Sequence, residues 1–391
     1  MFQRIEAHGY RCLRSVHQSI NPFEILIGSN ASGKSTFLDV IAFLGDMVSG
    51  GLEAAVEKRT ANFHDLVWGR DTDAFELAVE AAIPEDRRVE APAHGKANSI
   101  RYEIGIRLDT SSEKLHIAKE SVTLGYDRAE QGTPHAIFNV LDRTNVVVCH
   151  DEAGRWRFER NDLHRNYTSL SSLLSDADFP ASAWLRELLR AGITPIALDL
   201  EQLRKPSPPA TSDRLDSRGS YMVRSIARLK SRHTGEFNAW LDHVRTVLPD
   251  IKDLKTVIDE NHHRRLVIDY QNNISVPSWM VSDGTLRLLA LTVLAYAPDF
   301  RGVYLIEEPE NGVHPAALQA IYESLSSVYD GQVLVASHSP VLLSMAKPEQ
   351  LLCFIKTPEG TRIVRGSEHQ ALRDWQGEVS LGMLAASGIL G

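Results

Sequence analysis

The segment that most constrains the fold is Gly28-Ser29-Asn30-Ala31-Ser32-Gly33-Lys34-Ser35-Thr36. Two glycines flank four residues, and a lysine and a hydroxyl follow at once, which is the pattern of a phosphate-binding loop. Glycine lets the backbone wrap closely around phosphate oxygens. The loop N–H groups point inward, and the helix that follows presents its positive end. Lys34 is placed to reach β- and γ-phosphates, and the Ser35 hydroxyl to bind Mg²⁺. Such a loop needs a strand before it and a helix after it. Phe23–Ile27 is a short apolar run that predicts a buried strand, and Phe37–Leu44 has helical character. The competing reading is a chance glycine turn, and the flanking strand and helix count against it. By itself the loop specifies ATP or GTP held through its phosphates.

The rest of the chain divides by pattern. Phe75–Ala82, Arg101–Leu108 and Leu115–Leu124 are rich in Val, Ile and Tyr and partly alternate. Asn145–Val148 and Trp156–Glu159 predict short strands around a turn at Asp151–Gly154, so residues 51–160 read as an antiparallel β-rich subdomain. Residues 161–275 read as mainly helical, with helices over Trp184–Leu189 and Met222–Leu229. A third carries Phe237, Trp240, Leu241, Val244 and Leu248 on one face and stops at Pro249. The Pro- and Ser-rich stretch Arg204–Asp216 predicts a loop, and Arg265–Tyr270 a strand. Residues 276–391 return to α/β character. A helix over Gly284–Tyr296 precedes the apolar strands Gly302–Ile306 and Gln332–Ala336, which a helix over Pro315–Val328 separates. That spacing suits a parallel pair with a crossover helix. Residues 1–50 form the matching N-terminal lobe, so the fold class is α/β, with a split core around an insert.

Composition excludes several classes. Of 391 residues, 43% are hydrophobic and 24% charged, an ordinary globular balance, and the net charge is −9. An acidic chain does not coat nucleic acid through overall charge, although a local basic patch stays open. Cys12, Cys149 and Cys353 are scattered without a C-x-x-C pair, so a zinc site on cysteine is not expected and a reducing cytoplasm is. The N-terminal segment lacks an apolar signal core, and the longest apolar stretch, Leu286–Ala297, is too short to cross a bilayer.

Three further motifs carry chemistry. Val303-Tyr304-Leu305-Ile306-Glu307-Glu308 is an apolar strand ending in two carboxylates. Adjacent acids there need a metal or cation to balance them. Glu307 is placed to hold the Mg²⁺ shell, and Glu308 to orient or deprotonate attacking water. A solvated acidic turn is the alternative, and the phosphate loop argues against it. Ser337-His338-Ser339 follows the strand ending at Ala336, on the edge where open α/β sheets bind ligands. There His338 can contact the γ-phosphate while Ser339 caps the helix that starts at Pro340. Ser282-Asp283-Gly284-Thr285 precedes an apolar helix and reads, alone, as an N-cap.

Taken in order, the phosphate loop, the long insert, Ser282-Asp283-Gly284-Thr285, Ile306-Glu307-Glu308-Pro309-Glu310-Asn311-Gly312-Val313-His314-Pro315 and Ala336-Ser337-His338-Ser339-Pro340 resemble the ABC-type ATPase heads of the RecF, SMC and OLD group. More closely they are similar to the bacterial ATPases called AAA15 or AAA_21, a resemblance that covers nearly the whole chain. It starts at Tyr10-Arg11-Cys12-Leu13 and includes Phe63-His64-Asp65-Leu66. It implies a head with a mixed sheet, an antiparallel β-subdomain and a helical insertion, using ATP and Mg²⁺. It also implies that Ser282 and Gly284 form the signature that acts on ATP held by a second copy, and that His338 is the switch histidine. Arg11 either approaches the nucleotide, as the matching element does in similar heads, or is a surface arginine. Two departures stand out: S-D-G-T replaces the transporter S-G-G-Q, and Glu307 stands where many relatives carry Asp. No Q-loop glutamine can be placed.

The resemblance implies an ATP-binding and hydrolysing switch, a homodimer or larger assembly, in phage or plasmid defence or DNA maintenance. OLD-type nucleases carry a Toprim domain after the switch histidine. Residues 339–391 hold no acidic nuclease cluster, so the effector is expected to be separately encoded. Sustained heptads are also lacking, so an SMC-type lever arm is not expected. A slowly hydrolysing scaffold for a partner protein or DNA is the second reading, and a transporter ATPase subunit a remote third. The basic runs Arg228, Lys230, Arg232 and His262, His263, Arg264, Arg265 either touch DNA phosphates or form a solvated face.

Overall fold

The computed structural model describes residues 1–91, 95–126, 135–141, 147–150, 152, 156–159, 167–172, 177–209, 216–298, 300–373, 375 and 379–390. Most of the expected turn at 151–154 and the centre of the expected loop at 210–215 lie outside them. The chain opens with strands β1 (Phe2–Tyr10) and β2 (Leu13–Ser19), an antiparallel hairpin in register from Arg4↔Ser19 to Tyr10↔Leu13. The apolar run before the glycine loop is β3 (Phe23–Gly28), and helix α1 (Lys34–Gly50) follows the loop. After α2 (Leu52–Glu57) come the strands β4 (Ala74–Ala82), β5 (Glu90–Ala91), β6 (Gly95–Asp109), β7 (Lys114–Tyr126), β8 (His135–Leu141), β9 (Val147–His150) and β10 (Trp156–Glu159). Next are α3 (Pro180–Glu187), β11 (Ile193–Ile196), α4 (Leu200–Arg204), α5 (Met222–Arg232) and α6 (Thr234–Arg245). A small antiparallel sheet, β12 (Ile251–Ile258), β13 (Arg264–Tyr270) and β14 (Ser275–Pro277), precedes α7 (Asp283–Thr292). The chain ends with β15 (Val303–Glu307), α8 (Pro315–Ser326), β16 (Gln332–Ala336), α9 (Pro340–Met345), β17 (Leu351–Thr357), β18 (Gly360–Arg365) and α10 (Leu381–Ala386). The helix expected over Gly284–Tyr296 is α7, but its last turn tightens to a 3-10 turn at Val293–Tyr296, as helix ends do when their final carbonyls lack α-type donors.

Two compact units interleave along the chain. The first comprises Met1–Asn21, Ser29–Ile193 and Phe354–Val364. Its sheet runs β10-β9-β8-β7-β6-β4-β1-β2, with β5 beside β6. The pairs β1–β4, β4–β6 and β6–β7 are antiparallel. Rings from α1 and the sheet meet at its centre, where Phe75 lies 5.0 Å from Tyr10, 5.6 Å from Phe43 and 5.6 Å from Phe63. Each fully buried aromatic of this kind contributes about 1.5–3 kcal/mol, enough to fix α1 on the sheet. Two buried carboxylates cap helical turns from outside them. Glu120 accepts from Ser169 N–H at 2.7 Å and Leu170 N–H at 3.2 Å, and Glu152 accepts from Ala181 N–H at 2.8 Å and Ser182 N–H at 2.7 Å. The second pair satisfies the start of α3, whose own N-cap residue, Phe179, makes no side-chain cap.

The second unit comprises Pro22–Gly28, Thr194–Cys353 and Arg365–Gly391. Here β11, β15, β16, β3 and the start of β17 lie side by side. β15 and β16 pair in parallel, with α8 as the crossover between them, and β16 and β3 are parallel too. Alternate residues face opposite layers, as the period of two requires. Tyr304 and Ile306 of β15 and Val333 and Val335 of β16 join the apolar cluster of α5–α8, whose centre includes Trp240, Leu289 and Ile321. Ile25 and Ile27 of β3 pack instead with Leu343 of α9, Cys353 of β17 and Leu381 of α10. Both faces are covered, which is why these strands read as continuous apolar runs rather than alternating ones.

Candidate functional site

In the first unit the glycine loop opens α1 without a side-chain cap. Its N-cap is Gly33, with φ 104°, which has no side chain to cap the first turn, and that turn holds no acid. The start of this 17-residue helix presents its N–H groups and its positive end beside the loop. The loop is braced from below. Thr361 Oγ1 donates to Ser32 O at 2.8 Å, and Cys12 Sγ sits 3.4 Å from Thr36 Oγ1. A Cβ on Gly33 would meet Thr361 Oγ1 at 2.7 Å and Cys12 Sγ at 3.0 Å, so both backbone angle and space demand glycine there. Lys34 is buried and its Nζ donates to Ser29 O at 3.0 Å, a bond that folds the lysine across the loop. Ser29, Asn30 and Ala31 are exposed at the tip, Ala31 with φ 59°, and Ser35 is exposed at the helix start. An uncapped helix start, a lysine across the loop and an exposed hydroxyl fit a polyphosphate with its Mg²⁺.

Arg11 lies on the flank of α1 in the same unit, with φ 49°. Its Nη1 is 3.2 Å from Asp39 Oδ2, which also accepts from Tyr10 OH at 2.6 Å. Asp39 pairs in addition with Arg59 at 2.7 Å, and Arg59 reaches Asp46 at 2.8 Å. Burial, then the neighbouring Asp39 charge, pushes the Tyr10 hydroxyl well above its ordinary range. Arg11 is thus half of an ion pair to the phosphate-loop helix.

In the second unit, parallel register gathers strand ends at one edge. Leu26 of β3 pairs with Ala336 of β16, and Ala336 with Glu307 of β15. Glu308 N–H donates to Ala336 O at 2.8 Å and Ser337 N–H to Leu26 O at 3.1 Å. Gly28, Glu307, Glu308 and Ser337 therefore leave the sheet at the same end, the carboxyl edge where α/β sheets bind ligands. Glu307 and Glu308 are exposed there, while the strand behind them is buried. Glu308 has φ 48°, strained for a residue with a Cβ, and its Oε2 accepts from Asn311 Nδ2. The His338 ring is exposed. Ser339 caps α9, accepting from Leu342 N–H at 3.3 Å, so the capping role is real and leaves the imidazole outward.

Sequence reasoning missed Glu310. Its Oε1 accepts from Ser337 Oγ and from His338 N–H, both at 2.8 Å, and its buried Oε2 has no partner. This carboxylate ties the turn after β15 to the turn after β16. The only sequence signal was a third acid beside Glu307–Glu308, without an indication of what it would hold.

Ser282 is the N-cap of α7. Its Oγ accepts from Thr285 N–H at 3.3 Å and lies 2.9 Å from Thr285 Oγ1, and the residue is exposed. A Cβ on Gly284 would come within 3.1 Å of Gly312 O, so this helix start packs closely on the turn that follows Glu308. Arg204 steadies it by pairing with Asp283 and donating to Trp279 O at 2.9 Å. The basic runs are only partly free. Lys230 pairs with Asp253 at 2.7 Å and covers the Phe237 ring, Arg264 donates to Thr256 Oγ1, and Arg265 lies over Trp279.

Among the described residues no helix is long and apolar enough to cross a membrane. No curated protein matches the chain. Its fold resembles an SMC head bound to the C-winged helix domain of ScpA, at TM-score 0.55 and 13% identity, covering 93% of this chain and 97% of that one. It also resembles the Pyrococcus furiosus SMC head with an extended coiled coil bound to the C-terminal domain of ScpA, at TM-score 0.52 and 13% identity, covering 93% and 95%. At such identity the likeness shows the fold alone, that of an ABC-type P-loop ATPase head. Residues 24–132 and 176–344 match the family described as "AAA domain, putative AbiEii toxin, Type IV TA system". Those segments are well over half of the chain and include the whole phosphate loop, the strand-end carboxylates and the Ser337–His338 turn, so the chain belongs to the AAA_21 family of AAA-type ATPase domains.

Proposed function

We propose that the chain binds and hydrolyses ATP and works as a switch that pairs with a second copy of itself while ATP is held. The observation that carries this reading is the shared strand edge. The chain enters the phosphate loop at Gly28, from the edge where Glu307, Glu308 and Ser337 also end. On this reading the loop N–H groups from Ser29 to Gly33, with Thr36 beside them, cradle the phosphates, and Lys34 exchanges its bond to Ser29 O for phosphate oxygen. Ser35 and Glu307 hold Mg²⁺, which when bound neutralises charge on the phosphates. Glu308 accepts the proton of the attacking water, and the exposed His338 contacts the γ-phosphate. Ser282 and Gly284 act on ATP held by the other copy, and Arg11 steadies α1 through Asp39. Loss of the γ-phosphate removes the bridging charge and loosens the pair.

The family description names a toxin of a toxin–antitoxin system, and the SMC heads of similar fold are bound to ScpA domains. Both support a role in which the ATP-bound pair controls a separately encoded effector in phage or plasmid defence or DNA maintenance. A slow scaffold is the second reading, favoured by the Asn311 hydrogen bond that occupies Glu308. Glu308→Gln decides between them. On the switch reading the variant binds ATP as before, loses at least 90% of turnover and accumulates as an ATP-bound dimer by light scattering. Unchanged turnover in that variant removes Glu308 from the mechanism.

A further inference from the structure

The outer face of the β1–β2 hairpin carries a cluster that the ATPase reading does not use. Glu6 and His8 stand two apart on β1, and His17 is directly opposite Glu6 on β2. By strand alternation all three project to the face opposite Ile5 and Ala7, which are fully buried. One ligand atom from each residue lies within 4.8 Å of the others. His17 Nε2 is 3.8 Å from Glu6 Oε2, and the two imidazole centroids are 4.6 Å apart. Ligands on a tetrahedral Zn²⁺ with bonds near 2 Å are about 3.3 Å apart, so side-chain rotation alone closes the set.

We propose that Glu6, His8 and His17 form a binding site for a borderline transition-metal ion such as Zn²⁺. Two imidazoles and one carboxylate are a donor set that suits Zn²⁺, Ni²⁺ or Cu²⁺ over Mg²⁺. Ser15 and Arg101 hold two of the three ligands in place. His8 Nδ1 is 3.3 Å from Ser15 Oγ, and in the tautomer in which Nδ1–H donates to that hydroxyl, Nε2 keeps its lone pair for a metal. Arg101 grips Glu6 with two bonds, at 2.7 and 2.8 Å. Glu6 is thereby oriented, and each of its oxygens keeps a second lone pair. A bound ion would staple β1 to β2 just ahead of the turn that carries Arg11 and Cys12 to α1.

The test is titration of ZnCl₂ into nucleotide-free protein in excess Mg²⁺, followed by calorimetry and by the thermal unfolding midpoint. The expected result is one equivalent bound per chain and a raised midpoint. His17→Ala and His8→Ala should each weaken binding at least tenfold and abolish the shift, with metal-free midpoints close to that of the parent because both rings reach the surface. His262→Ala, elsewhere in the chain, should bind as the parent does. No uptake by the parent, or Zn²⁺ affinity in the two hairpin variants equal to that of the parent, overturns the site. Neither readout depends on ATP turnover.

Discussion

Glu310 is the residue through which the structure makes its sharpest demand. One carboxylate oxygen receives both the Ser337 hydroxyl and the His338 amide at 2.8 Å, and Ser337 is buried. Hydrogen bonds to a charged acceptor contribute about 1.5–3 kcal/mol each, and neutral ones about 0.5–1.5 kcal/mol. Glu310→Gln keeps an acceptor of the same shape and removes the charge, so it costs roughly 1 kcal/mol per bond, about 2 kcal/mol in all. Were all of this expressed in the hydrolysis barrier, turnover would fall about 30-fold. Glu310→Ala leaves the buried Ser337 hydroxyl and the His338 amide without their acceptor, at about 2–4 kcal/mol. Since neither variant touches the phosphate loop, nucleotide affinity should hold within a few-fold while turnover falls in the order Gln then Ala. Urea unfolding separates the part lost from stability from the part lost from the barrier. If both variants turn over ATP within twofold of the parent, the strand-edge turns do not form the site proposed above.

Two other consequences are equally direct. Gly33→Ala puts a Cβ at φ 104° against Thr361 Oγ1 and Cys12 Sγ, which combines backbone strain of about 1–2 kcal/mol with overpacking of about 1–3 kcal/mol; a midpoint in urea unchanged from the parent would contradict the contact. Burial pushes the Cys353 thiol up to about 12 from an ordinary value of 9.0. The unfolded thiol ionises first, so native stability from this group is complete below pH 9 and declines as pH rises toward 12. Cys353→Ala should flatten that alkaline decline, and native protein at pH 8 should resist alkylation at Cys353 by peptide mass spectrometry while unfolded protein does not.

Legibility in the sequence followed the range of the interactions. The phosphate loop and the strands at Phe23, Val303 and Gln332 are contiguous, and burial on both faces gives each a continuous apolar run. The loop's brace was not legible, because Thr361 meets Ser32 from 329 residues away. Cross-strand pairs such as Glu6–Arg101, and the placing of His8 beside His17, depend on ladder register, which composition does not set. The interleaving of the two units was also hidden. β3 belongs to one and α1 to the other, although only the glycine loop separates them in the chain.

Ser282 is where local and long-range readings meet, and they can be separated. Its Oγ accepts from Thr285 N–H and lies beside Thr285 Oγ1. A hydroxyl has one proton and two lone pairs. It can keep accepting from the Thr285 amide as a cap while its proton turns from Thr285 Oγ1 to a phosphate oxygen of a second copy. Capping and signature roles are thus compatible in one residue, and a sequence that calls for a cap does not argue against the signature. Aspartate caps a helix as well as serine does, whereas alanine loses about 1 kcal/mol. Ser282→Asp should therefore keep the unfolding midpoint, but it sets a negative charge against the phosphate and should abolish ATP-dependent association. Ser282→Ala should show the reverse emphasis, a lower midpoint with association weakened rather than lost. If Ser282→Asp still dimerises with ATP as the parent does, measured by light scattering at matched concentration, Ser282 is a cap and nothing more.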